Sequence, residues 1–181
     1  MELYEKKLSE KVVYEGIIVN IRRDEVELID GSKAGREVVE HPGGVAVFAV
    51  DEEENVVLVR QYRYPVGDVI LELPAGKLEP GEDPKECAIR ELQEETGYLA
   101  GRLDYMGFSH SSPGIFMEKI HYYLARDLKK GAASPDEGEF VEVVTMPLQE
   151  LRALAENNKL SDGKTLIGIL KGTCMLNKSK D

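Results

Sequence analysis

Between Gly76 and Tyr98 the chain reads GKLEPGEDPKECAIRELQEETGY, a stretch that gathers Glu79, Glu82, Glu86, Glu91, Glu94 and Glu95 around one short predicted helix. Asp83 is a favourable N-cap, Pro84 occupies the preferred first helical position, and Glu86 falls three residues after the cap, where a capping box places it. The helix is therefore predicted to start at Pro84 and to stop before Gly97, a natural left-handed terminator. Glu91, Glu94 and Glu95 lie at i, i+3 and i+4 and share one face, while Ala88, Ile89 and Leu92 form a partly separate apolar stripe. Each like-charged pair at this spacing costs an isolated helix roughly 0.2–0.5 kcal/mol. A divalent cation with oxygen ligands, magnesium or manganese, would reverse that penalty. For an arbitrary glutamate-rich helix the plainer reading is a solvated acidic face. The order of the residues decides against it.

Gly76, then five residues, Glu82, then seven residues, and Arg90-Glu91-Leu92-Gln93-Glu94-Glu95-Thr96-Gly97 followed by a bulky residue resembles, position by position, the signature of the Nudix hydrolases. Tyr98 departs mildly, because an aliphatic residue is commonest at that last place. The resemblance implies hydrolysis of a nucleoside diphosphate linked to another moiety, by attack of water on phosphorus with divalent metal in the site. It implies Glu91, Glu94, Glu95 and the Ala75 carbonyl as metal ligands. Glu82 and Arg90 are implied as an orienting ion pair behind them. The chain's formal net charge of -11 repels an anionic diphosphate at long range, so the family's metal, Mg2+ with Mn2+ as a substitute, has to bridge the two.

At 181 residues and 42% hydrophobic content the chain suits one domain with a small appendage. Its charged start, MELYEKKLSEK, has no apolar signal core, and no run approaches the ~20 apolar residues of a membrane span. A cytoplasmic protein without membrane contact is expected. Cys87 and Cys174 are the only cysteines, without C-x-x-C spacing, so neither a zinc framework nor a disulfide scaffold is expected. Cys87 reads as a small buried residue and not as a nucleophile. A sequence pI near 4.9, with dispersed Lys and Arg, argues against nucleic acid as a partner.

Strand-like alternation is predicted in Lys11–Arg23, Asp24–Asp30 and Arg36–His41, giving a small N-terminal antiparallel sheet over 1–42. After Pro42-Gly43-Gly44 the strands become more apolar, in Val45–Val50, Asn55–Tyr64 and Val69–Pro74, and open a second domain over 43–181. Beyond the signature helix, LDYMGFSH, KIHYYLARDL and FVEVVTM read as strands. One closing helix is predicted to begin at Pro147 with Leu148, Leu151, Leu154 and Ala155 on its apolar face. Another is predicted after Asp162, with Leu166, Ile167 and Leu170 as its apolar residues. The expected class is α+β, and the family resemblance implies an α/β/α sandwich around a mixed sheet.

Three further features resemble the ADP-ribose pyrophosphatase branch of the family. Pro113 stands sixteen residues after Gly97, and Gly114 and Glu118 follow it in a loop where the branch's acid would meet terminal ribose hydroxyls. Arg36 and Arg63 match arginines that reach the diphosphate or its sugar, and a guanidinium fork suits phosphate oxygens. Ile17 stands where a relative would place an aromatic against adenine, so aliphatic packing would have to replace stacking there. In SPDEGEFVEV the branch carries a mobile glutamate, for which Glu139 is the first choice and Glu137 the second. The catalytic candidates are then Glu139, Glu137 and Glu94.

What the resemblance implies as a whole is a Mg2+-dependent homodimer, with N-terminal strands exchanged between subunits, that splits ADP-ribose into AMP and ribose 5-phosphate. A broader nucleoside diphosphate sugar or dinucleoside polyphosphate hydrolase is the alternative within the class. A non-catalytic nucleotide-sugar sensor is the alternative outside it, disfavoured because every signature carboxylate is present.

Overall fold

The computed structural model describes residues 3–134, 138 and 140–178. The chain forms two compact units, one built from the chain up to Gly43 together with His110–Lys119, the other from Gly44–Ser109 and from Ile120 onward.

The first unit is a three-stranded antiparallel sheet of β1 (Lys6–Glu15), β2 (Asn20–Glu27) and β3 (Lys33–Glu40), with β2 central. Lys11–Arg23, expected as one strand, is broken into a hairpin. The Gly16 amide donates to Val19 O at 3.0 Å and to Asn20 Oδ1 at 3.3 Å, turning the chain at an otherwise apolar IIV run. Alternation alone could not show this, because the glycine and the asparagine side chain set the turn. Asp24–Asp30, expected as a separate strand, in fact runs on from Asn20 as far as Glu27. The 110–119 segment joins this sheet at β3, where the Val39 amide donates to Ile115 O at 2.8 Å and the Met117 amide donates to Val39 O at 2.9 Å.

The second unit is built on a mixed sheet in the order β10–β5–β4–β9–β8, with β6 beside β5 and β7 beside β4. Its strands are β4 (Gly44–Val50), β5 (Asn55–Arg63), β6 (Asp68–Glu72), β7 (Ala75–Lys77), β8 (Tyr98–His110), β9 (Lys119–Lys130) and β10 (Val141–Pro147). The β4–β9 pairing is parallel, whereas β5 is antiparallel to β10, β4 and β6. Every residue of β4 is buried. Its side chains alternate between two cores, as the period of a strand requires. Ala46, Phe48 and Val50 join Leu148 and Leu151 of α2 (Leu148–Glu156) and Ile169 of α3 (Gly163–Lys178). Val45, Val47 and Ala49 join Cys87, Ala88 and Leu92 of α1 (Pro84–Thr96). Helices thus cover both faces of the mixed sheet, in the expected sandwich.

Two expectations for the closing helices are corrected. Pro147 caps α2 and does not open it. The buried face of α3 is Thr165, Gly168, Ile169 and Gly172, while Leu166 and Leu170 are exposed. A Cβ at Gly168 would lie 2.2 Å from Leu73 Cδ1, and one at Gly172 would lie 2.5 Å from Phe48 Cδ1. The helix packs through its glycines because Leu73, between β6 and β7, and Phe48 of β4 need that space. Among the described residues no helix is long and apolar enough to cross a membrane.

Candidate active site

The signature segment folds as its local chemistry dictates. Asp83 accepts the Lys85 amide at 2.8 Å, Pro84 opens α1, and Gly97 ends it at φ 73°, its amide donating to Gln93 O. Cys87, Ala88 and Leu92 anchor the helix in the core. Burial pushes the Cys87 thiol up to about 12, which suits an inert packing residue. On the same helix Glu91 and Glu95 are 9% and 4% exposed, so the carboxylate turn is not a solvated face.

Each of these carboxylates has a defined contact. Glu95 Oε2 accepts the Ala75 amide at 3.0 Å, tying the end of α1 to β7. Arg90 Nη1 donates to Glu91 Oε1 at 2.8 Å and to Glu94 Oε2 at 2.9 Å. The other edge of Arg90 forks onto Glu82, through Nε to Oε1 at 2.9 Å and Nη2 to Oε2 at 3.0 Å. That hydrogen-bonded guanidinium holds the Glu82 carboxyl down to about 2. Gly76 clears the space for Glu91, since a Cβ there would lie 1.8 Å from the Glu91 carboxyl carbon.

One cationic nitrogen thus sits between Glu91 and Glu94, which marks the point where their oxygens converge. The oxygens are all hard ligands, which suit a hard divalent cation. Among the described residues no three acidic, histidine or cysteine side chains are already gathered as a metal cluster. Glu91 and Glu94 pair with the Arg90 guanidinium.

A second charged group lies in the same unit. Arg63, at the end of β5, forks onto Glu72 with Nε to Oε1 and Nη2 to Oε2 both at 2.8 Å. Glu72 is 1% exposed and also accepts from Lys164 Nζ. Burial pulls the Glu72 carboxyl upward, but the Arg63 and Lys164 cations outweigh it and hold the group below its ordinary value. The Glu72 hydrogen bond likewise raises Arg63, with smaller help from the charges of Glu95 and Asp162.

Four further sequence candidates, Arg36, Glu118, Gly114 and Ile17, fall in the first unit. Arg36 on β3 forks onto Glu5, with Nε to Oε2 at 2.8 Å and Nη2 to Oε1 at 2.6 Å, in an exposed pair. Glu118 Oε1 lies 3.6 Å from His41 Nδ1, and the His41 ring packs against Phe116 at 5.3 Å between centroids. Gly114 is exposed in the same segment, and Ile17 is fully exposed at the β1–β2 turn. Glu137 and Glu139 lie outside the described residues. Sequence reading did not single out Glu72, Lys164 or His41, which pair with Arg63, Glu72 and Glu118 respectively. A glutamate inside the apolar run VILELP was the available signal for Glu72.

The family model for the NUDIX domain matches residues 40–166. The chain belongs to the Nudix family. A second model, the nucleoside diphosphate sugar hydrolase N-terminal domain, matches residues 5–39 of this Nudix protein. It is 40% identical over 169 residues to the ADP-ribose pyrophosphatase of Bacillus subtilis (strain 168), covering 92% of this chain and 91% of the relative. It is 42% identical over 167 residues to the methanol dehydrogenase activator of Bacillus methanolicus, covering 91% and 90%. Its fold superposes on the crystal structure of an ADP compounds hydrolase with a TM-score of 0.86, at 23% identity and over 99% and 98% of the two chains.

Proposed function

We propose that this Nudix protein is an ADP-ribose pyrophosphatase that uses Mg2+, with Mn2+ as a substitute, and converts ADP-ribose and water into AMP and ribose 5-phosphate. The observation that carries the reading is the burial of Glu91 and Glu95 on one turn of α1, with Gly76 making room for Glu91 and the Ala75 amide holding Glu95. The 40% identity to a bacterial ADP-ribose pyrophosphatase over nearly the whole chain supports the substrate class. In this reading Glu91, Glu94, Glu95 and the Ala75 carbonyl hold the divalent ion, which when bound supplies charge neutralisation for the diphosphate and acidifies water. Glu82 and Arg90 hold the glutamates in place. Arg63 binds the diphosphate through the guanidinium edge that Glu72 leaves free, and Arg36 adds a second fork. Glu118 and Gly114 receive the terminal ribose, and Ile17 offers an aliphatic surface to adenine.

Water attacks one phosphorus, the bridging P–O bond breaks, and a carboxylate takes the proton. Glu139 is the first candidate for that base, with Glu137 and Glu94 as alternatives. Replacing Glu139 with Gln is expected to depress kcat far more than it changes KM, and unchanged turnover in both the Glu139 and Glu137 variants would remove these two glutamates from the mechanism. The domains assigned to 1–42 and 43–181 then divide the work, the first pairing subunits and the second carrying the signature. The assembly proposed is a homodimer through the N-terminal strands, acting in the cytoplasm. All ten residues of β1 are exposed, among them the apolar Leu8, Val12 and Tyr14. A monomeric mass in solution would refute the dimer.

A second reading, a broader nucleoside diphosphate sugar hydrolase, is favoured by the N-terminal match over residues 5–39. The deciding assay follows phosphate-ester release from ADP-ribose, ADP-glucose, GDP-mannose and diadenosine polyphosphates with magnesium, manganese or chelator. A preference for ADP-ribose, lost on chelation, is expected. Equal rates across the panel would favour the broader reading, and activity that survives chelation would overturn the metal chemistry.

A further inference from the structure

A polar circuit runs from β5 to the start of α3 without using any signature residue. Arg63 forks onto Glu72 through two parallel bonds of 2.8 Å. The same carboxylate takes Lys164, and Lys164 is held in turn by Asp162 Oδ1 at 3.0 Å. Asp162 Oδ2 accepts the Thr165 amide at 2.9 Å and the Thr165 hydroxyl at 2.6 Å, and the Leu73 amide donates to Thr165 Oγ1 at 2.9 Å. Leu73 lies between β6 and β7, two residues before Ala75, so the circuit is fastened to the link that enters β7.

This is an inefficient way to gain stability. Buried ion pairs barely offset their desolvation, and a well-packed apolar group of the same volume would serve as well or better. What a bidentate fork does supply is orientation, because it fixes the guanidinium plane and occupies one of its edges. We infer that Glu72, braced by Lys164, is a positioning residue that sets the free edge of Arg63 toward the substrate's diphosphate. The inference rests on the pyrophosphatase reading and assigns Glu72 and Lys164 a part in it. Neither touches the reacting atoms.

The test combines Glu72→Gln, Arg63→Ala and the double variant, measured with ADP-ribose and Mg2+ and by calorimetric binding of its α,β-methylene analogue. Glu72→Gln keeps the side-chain shape and is expected to raise KM and the analogue's Kd about tenfold, with kcat reduced less than about threefold, as loss of a charge-assisted fork would do. Added to Arg63→Ala, the same change is expected to alter kcat/KM by less than about twofold, because its effect passes through Arg63. A merely structural role would lower the folded fraction and leave KM in place.

Wild-type KM in folded Glu72→Gln, or full additivity in the double variant, overturns the inference. If Glu72→Gln does not fold, Lys164→Met should raise KM and Lys164→Arg should restore it, and wild-type KM in both overturns the inference equally. A wild-type chain inactive on every nucleoside diphosphate sugar overturns the functional reading and this inference together. An active wild type with additive losses overturns the inference alone.

Discussion

Replacing Gly76 with alanine adds one methyl at the place where the proposed metal ligands depend on empty space. Gly76 does not have a left-handed φ, so alanine strains nothing in the backbone. The new Cβ would lie 1.8 Å from Cδ of Glu91, 1.9 Å from Oε1 and 2.2 Å from Oε2. Restoring an ordinary carbon contact of ~3.5 Å requires the carboxyl carbon to retreat by about 1.7 Å. That movement breaks the 2.8 Å bond from Arg90 Nη1. Overpacking of this kind costs about 1–3 kcal/mol of stability, and displacing a reacting constellation by about 1 Å costs roughly 100-fold in rate. The assay is kcat/KM for ADP-ribose with Mg2+, run beside thermal unfolding and a Mn2+ titration. Gly163→Ala is the control, because a Cβ there meets nothing within 4 Å. A folded Gly76→Ala protein with wild-type kcat/KM and Mn2+ affinity would refute the placement of Glu91 as a ligand.

Arg90→Ala strips the cation from Glu82, Glu91 and Glu94 at once and is expected to cost about 1–3 kcal/mol, discounted for partial exposure. Calorimetric Mn2+ affinity should fall about tenfold or more in this variant, and wild-type affinity would contradict the role of Arg90 in holding Glu91 and Glu94 in place. Gly172→Ala pushes a Cβ to 2.5 Å from the ring of fully buried Phe48, so urea unfolding should show the ~1 kcal/mol helix-propensity gain of alanine cancelled or outweighed, a net loss of up to about 2 kcal/mol; a net gain near 1 kcal/mol would contradict the packing described. The Glu82 carboxyl lies at about 2 in the folded chain against an ordinary 4.5, so the Arg90 fork stabilises fully above 4.5 and that stabilisation is lost as pH falls through about 2. Unfolding measured across that acid range should be shallower in Arg90→Ala, and identical pH slopes would contradict the fork.

The parts of the molecule legible in the sequence are those in which short-range chemistry and burial agree. Asp83, Pro84 and Gly97 bound α1 because capping is a local property. The two-faced apolar run of β4 announces a strand covered on both sides. What escaped depends on partners distant in sequence. The face of α3 was misread because hydrophobicity favours Leu166 and Leu170, whereas Leu73 and Phe48 leave room only for glycine at positions 168 and 172. Ile17 and Ile18 pattern as strand but lie at a turn drawn in by the Gly16 amide and Asn20. In the site, the spacing of Glu91, Glu94 and Glu95 was visible. The burial of Glu91 and Glu95 and the pairing of Glu91 and Glu94 with Arg90 were not, and neither was the ion pairing of Glu72, whose two cations come from residues 9 positions before it and 92 after it.

In the proposed function, carboxylates crowded on one turn of α1 are tolerated because they capture a divalent cation that recruits a phosphoanhydride. Calorimetric titration of Mg2+ and Mn2+ into the protein, with the α,β-methylene analogue of ADP-ribose present, tests it directly. Saturable uptake in the wild type, strongly weakened in Glu94→Gln, is the result this account predicts. No uptake in the wild type, or uptake unchanged in Glu94→Gln, would contradict it.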